Sequence, residues 1–196
     1  MTHKHTYTFK ATPHIFLCIL SGVIINVLGN SITHALHAPI LLDSIGTILC
    51  SCLLGPVAGS ITGILGTILC HISTPYLWWY ALSNLPIAFG ISILYQRTKL
   101  HDTFQLVCSG VLIMIFSTIV SVPLNILLRD GYIGNVWEDA LVDMLLQNGN
   151  QPLFCCIAGQ LFIELPDKIL VVSLSYLLIK LFFMINKKRK RRCVKK

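Results

Sequence analysis

The sequence predicts an all-α integral membrane protein: six transmembrane helices, with a short amphipathic helix on the outer face before the last span. Residues 1–186 form one membrane domain in this reading, and 187–196 a basic cytoplasmic tail. Three observations lead there. The hydrophobic set makes up 55% of the 196 residues, charged residues only 12%, and the mean hydropathy is +0.75, too apolar for a domain whose surface faces water. The apolar residues gather in runs close to the roughly 20 needed to cross a bilayer, bounded by Pro, Gly or charge. The positive charge is not spread: eight of the fifteen Lys and Arg lie in the last ten residues, "KKRKRRCVKK".

Taken in order, the first span runs from about His14 to Ala35, past the length of a signal peptide and without a small-x-small cleavage site. A second runs from Pro39 to Leu54, and Gly55-Pro56 turns the chain. The third runs from Val57 to Ile72, the fourth from Pro75 to Tyr95 and the fifth from Phe104 to Leu128. The stretch from Pro152 to Asn186 is too long for one straight span. Pro166 suits a first helical turn and Asp167 the positive N-terminal end of a helix, so the sixth span is set at Pro166 to Asn186, with a separate short helix over 152–165. In the connection before it, Val136, Ala140, Leu141, Met144 and Leu145 recur at helical spacing and predict an amphipathic helix on the outer surface.

Six spans put both termini on one side. His3, Lys4, His5 and Lys10 precede the first span, Arg97 and Lys99 lie between the fourth and fifth, and the tail follows the sixth, so this face is the cytoplasm and the location the cell membrane. A basic tail behind an apolar helix meets anionic membrane lipid; it is not a nucleic-acid site. Seven of the eight cysteines lie in apolar segments and read as packing thiols, and Cys50-x-Cys52 lacks the spacing of a zinc or redox pair.

With direction fixed, polar residues collect at the outer ends of the spans: Asn26, Asn30, His34 and His37, then Asp43 and Ser44, His71, Asn84, Asn125, and Asp167 with Lys168. A charge in the bilayer costs on the order of 3 kcal/mol and usually faces a polar interior. Asp43 and the Asp167-Lys168 pair therefore share an outward cavity, with Lys168 as counter-ion for Asp43; an ion pair that only fixes helix packing is the alternative. Of "YLWWY" at 76–80, one or two aromatics should point inward, where they could stack on a planar ring, and the rest belong to the interface. The resulting binding candidates are Asn30, His34, Asp43, Trp78, Trp79, Asn84, Asn125, Asp167 and Lys168. His34, His37 and His71 read as interfacial hydrogen-bonding groups, and neither a metal nor a cofactor is expected. Gly55, Gly59 and Gly63 form a stripe at every fourth position that lets a neighbouring helix approach. The chain has no G-x-x-x-x-G-K-[ST] loop, no HExxH and no G-x-S-x-G, and nothing nominates a nucleophile, so an enzyme is not expected.

The order "LLDSIGTILCSCLLGPVAGSITGILG" and, far downstream, "PDK" resembles the substrate-binding S components of energy-coupling factor (ECF) transporters. The resemblance covers nearly the whole chain, including Asn26 and Gly29, Gly46-Thr47, the Leu54-Gly55-Pro56 turn, Gly59 and Gly63. It implies a six-helix protein that captures a small nutrient, such as a vitamin, base or nucleoside, from outside. It also implies partners: a membrane coupling subunit and two ATP-binding subunits that drive release inward. Such proteins present an Ala-x3-Ala stripe on the first helix to the coupling subunit; the matching positions here are Cys18 and Gly22, with Ser21 beside them. Nickel- and cobalt-binding relatives use an N-terminal His segment that "MTHKH" does not match. The competing expectation is a membrane sensor or assembly protein with no small-molecule cargo.

Overall fold

A computed structural model describes residues 13–98, 102–132 and 134–193, of 186–193 the backbone alone. The regular elements of the described chain are all helices: α1 (Pro13–Ala35), α2 (Ile45–Leu54), α3 (Pro56–Cys70), a 3₁₀ segment (Pro75–Ser83) running into α4 (Asn84–Thr98), α5 (Thr103–Arg129), α6 (Val136–Gln147) and α7 (Pro152–Cys193). Among the described residues four helical units are long and apolar enough to cross a membrane: α1, Pro75–Thr98, α5 and the Pro152–Ile185 part of α7. Their outward faces carry large apolar side chains, on α1 alone Phe16, Leu20, Ile24 and Leu28. A surface of that kind suits lipid, not water, and the chain is membrane-embedded. The N-terminal basic residues, Lys99 and the side chains of the tail lie outside the described residues.

The expected second span is helical only over α2. Residues 36–44 before it are irregular, with His37 and Leu42 at positive φ (49° and 51°). At 10 and 15 residues α2 and α3 are shorter apolar helices. They form a hairpin whose turn is Gly55, at φ 103°, followed by Pro56 at the first position of α3.

The last element corrects the sequence reading. Helix α7 is continuous from Pro152 to Cys193, with Pro166 inside it. Proline removes one N–H and frees the carbonyl four residues back, a loss that packed helices in a membrane tolerate. Residues 152–165 are therefore no separate helix, and Asp167 does not cap a helix start. The short helix before the last span exists as α6, opened by Asn135, whose Oδ1 accepts from the Trp137 N–H at 3.1 Å. Its packed face is Glu138 and Val142 against Gly159 of α7, while Val136 and Met144 are exposed.

Contacts between named atoms give the helix directions. Asn26 of α1 bridges to α2, donating to Thr47 Oγ1 at 2.9 Å and accepting from the Gly46 N–H at 2.6 Å, while Cys50 approaches the Cys18 carbonyl. Higher residues of α2 thus meet lower residues of α1, and the two run antiparallel. On α5 and α7, Asn125 pairs with Gln160, Ser117 with Glu164, and Gly110 packs on Ile169, again antiparallel. The apolar core between these layers holds Ile48, Ile91, Ile113, Val171 and Val172. Small residues make the close approaches. A Cβ at Gly46 would overlap the Gly22 carbonyl, one at Gly59 the Ser51 hydroxyl, and one at Gly63 the Asn84 side chain. The Gly55–Gly59–Gly63 stripe thus serves a turn, then α2, then α4, and not a single neighbour.

Candidate functional site

A cavity of about 690 Å³ lies where the C-terminal part of α1, the 36–44 segment, the end of α3, the 3₁₀ segment, α5 and α7 meet. Its size suits a small organic molecule. Of the residues singled out from sequence, Asn30, His34, Asp43, Asn84 and Lys168 line it.

Four others do not. Asn125 is fully buried behind the wall, accepting from the Tyr80 hydroxyl and donating to Gln160 Oε1 at 2.8 Å; both of those partners line the cavity. Asp167 is also fully buried. Its Oδ1 accepts from the backbone N–H of Leu41 at 3.0 Å and of Leu42 at 2.8 Å, and its Oδ2 from Lys168 Nζ at 2.8 Å. It clamps the irregular segment in place, including the positive φ of Leu42, a conformation a branched side chain rarely adopts unaided. Trp78 and Trp79 face outward: Trp79 is 60% exposed, and the Trp78 indole donates to the His71 carbonyl at 3.0 Å. The cause is the three-residue turn of a 3₁₀ helix, which eclipses Leu77, Tyr80 and Ser83 on the cavity side and turns the two tryptophans away. Tyr76, Tyr80 and Trp137 are the aromatics on the wall.

Lys168 is the centre of charge. It is 2% exposed, and its ammonium stands 2.8 Å from Asp167, 3.6 Å from Glu164 and 3.8 Å from Asp43, with Ser44 Oγ at 3.3 Å. The pair with Asp43 expected from sequence is present, but Asp167 is the closer partner. Asp43 keeps 37% of its side chain exposed and accepts from the Ser44 hydroxyl at 2.6 Å. Glu164, which was not singled out from sequence, faces the cavity; its Oε1 accepts from Ser117 at 2.9 Å and Gln160 at 2.8 Å. Gln160, Glu164 and Lys168 fall at i, i+4 and i+8 on one face of α7. That spacing was present in the sequence, but placing a helix boundary at Pro166 cut it in two.

The segment before α6 closes one side. The Trp137 indole donates to the His37 carbonyl at 2.7 Å, and Asn135 Nδ2 to that of Ala38 at 3.4 Å. Behind it Glu138 is 1% exposed, and burial, reinforced by Asp139 and Glu164, pushes its carboxyl up to about 8 against the opposing pull of Arg129.

The docking positions divide. Cys18 and Ser21 are exposed on α1, but Gly22 is buried, where a Cβ would press on Thr62 and Cys50. Gly22 faces α2 and α3 and presents nothing to a partner on the outside of α1.

No protein-family model matches the chain, and neither does any curated protein or solved structure.

Proposed function

We propose that this protein is the substrate-capture subunit of an ATP-driven importer of the ECF type, binding a small nutrient in the cavity beside Lys168. The observation that supports the reading is a cavity of about 690 Å³ lined by Asn30, His34, Asp43, Asn84, Glu164 and Lys168 inside a chain whose outer surface is apolar. Polar groups in a membrane protein are costly unless they face a pathway or a ligand. In this reading α2 and α3, with residues 36–44, complete six crossings, both termini are cytoplasmic and the cavity faces out across the cell membrane. A coupling subunit and two ATP-binding subunits supply the energy, since the sequence carries no phosphate-binding loop of its own. The chain is then a carrier and not an enzyme. The aromatics proposed to flank the ligand are Tyr76, Tyr80 and Trp137, in place of Trp78 and Trp79.

The second reading is a sensor or assembly protein, favoured by the satisfaction of Lys168 from within the chain. Native mass spectrometry of the detergent-purified protein separates the two. A co-purifying nutrient is expected, with its affinity about 10- to 100-fold weaker in Asp43→Asn, the worth of one hydrogen bond to a charged group. An empty protein that shows no thermal shift with vitamins, bases or nucleosides would select the sensor reading.

A further inference from the structure

The charges grouped around Lys168 do not balance among the described residues. Asp43, Glu164 and Asp167 surround a single ammonium, Lys168, so the ionised cluster carries two negative charges in excess. Uncompensated charge inside a membrane protein is expensive. Asp167 is fully engaged by two backbone N–H groups and the ammonium, and it is not on the wall. The excess therefore falls on Asp43 and Glu164, which are. Glu164 is 3% exposed, and among the described residues its Oε2 receives no hydrogen bond, the ammonium standing 3.6 Å off. A buried carboxylate oxygen of that kind ordinarily has a donor. The other cation on the wall, Arg129, lies by Gly134, where an added Cβ would overlap its guanidinium, in the segment leading to α6. His34, His37 and His71 also lie on the wall.

We propose that the cavity takes a cationic ligand, a protonated amine or positively charged nitrogen heterocycle, whose charged nitrogen lies between Asp43 and Glu164 Oε2. The flat part of such a ligand rests against Tyr76, Tyr80 or Trp137, where an aromatic face also attracts a cation. The inference rests on the capture reading and names the class of its cargo.

The test uses three probes of one shape and different charge, benzylammonium, benzyl alcohol and benzoate, at equal millimolar concentration and ionic strength on the full-length protein in detergent. Benzylammonium is expected to raise the melting temperature while the other two do not. Its apparent affinity is expected to fall about tenfold or more in Asp43→Asn and in Glu164→Gln. Glu164→Gln keeps an acceptor for Ser117 and Gln160, and if it fails to fold, the part-exposed Asp43 still decides the matter. A shift with benzoate alone, a benzylammonium shift untouched by both substitutions, or no shift with any probe would overturn the proposal. The two readings fail separately: a neutral or anionic co-purified ligand lost in Asp43→Asn refutes the cationic class and leaves capture standing, whereas a protein that holds no ligand refutes capture itself.

Discussion

Replacing Asp167 with alanine removes three interactions at once: the acceptor for the Leu41 and Leu42 amides and the nearest anion to Lys168. Each buried donor left without a partner costs about 1 to 3 kcal/mol. Breaking a buried ion pair from one side costs about 3 to 5 kcal/mol. Glu164 and Asp43 remain within reach of the ammonium and offset part of the second figure. The low end of these ranges, with that offset, is about 4 kcal/mol, or a fall in melting temperature of at least roughly 8 to 16 °C for a chain of this size. Asp167→Asn keeps an acceptor for the two amides but no charge for Lys168, and is expected to lose about half as much. The assay is thermal unfolding in detergent, paired with hydrogen exchange at Leu41 and Leu42, whose amides should lose protection in the alanine variant. Asp43→Asn is the control; part-exposed and 3.8 Å from the ammonium, it should melt within a few degrees of wild type. An Asp167→Ala protein as stable as that control, with both amides still protected, would refute the clamp.

Gly46→Ala should destabilise by about 3 kcal/mol, because its Cβ overlaps the Gly22 carbonyl and α1 must retreat from α2; Gly90→Ala, which meets only the Phe116 ring at 3.3 Å, should change melting little. Stability should also fall with rising pH. Glu138 holds its proton in the folded state up to about 8 but releases it near 4.5 when unfolded, so the native chain binds more protons between those values and its advantage, complete below about 4.5, is lost as pH rises toward 8. Melting curves at pH 5 and pH 8 should differ in wild type and converge in Glu138→Gln.

Where hydropathy alone decides an element, the sequence reading came within a residue or two. The first span, His14 to Ala35, is α1 (Pro13–Ala35), and the fifth, Phe104 to Leu128, is α5 (Thr103–Arg129). Both are long apolar runs closed by Pro or charge. Residues 36–44 carry Leu36, Ile40, Leu41 and Leu42, yet they are not helical. Their conformation depends on Asp167, 126 positions from Leu41, and no local pattern reports a partner that distant. Pro166 misled in the opposite direction, since a proline marks a helix start by statistics but sits here in a helix held by packing on both sides of it. That one or two aromatics of 76–80 face inward was legible, but the three-residue turn that selects Tyr80 over Trp78 and Trp79 was not.

The two aspartates near Lys168 show why residue type and depth could nominate a site without dividing its labour. Both are carboxylates at similar depth, and both reach the same ammonium. Asp167 has its hydrogen-bonding capacity filled by the chain itself, so its charge serves the fold and its removal should show first in stability. Asp43 has one hydroxyl donor and open surface, so its removal should show first in binding. Glu164 stands between them, buried like Asp167 yet with one oxygen unfilled like Asp43. The proportion in which Glu164→Gln loses stability and benzylammonium binding therefore measures where the scaffold ends and the ligand site begins.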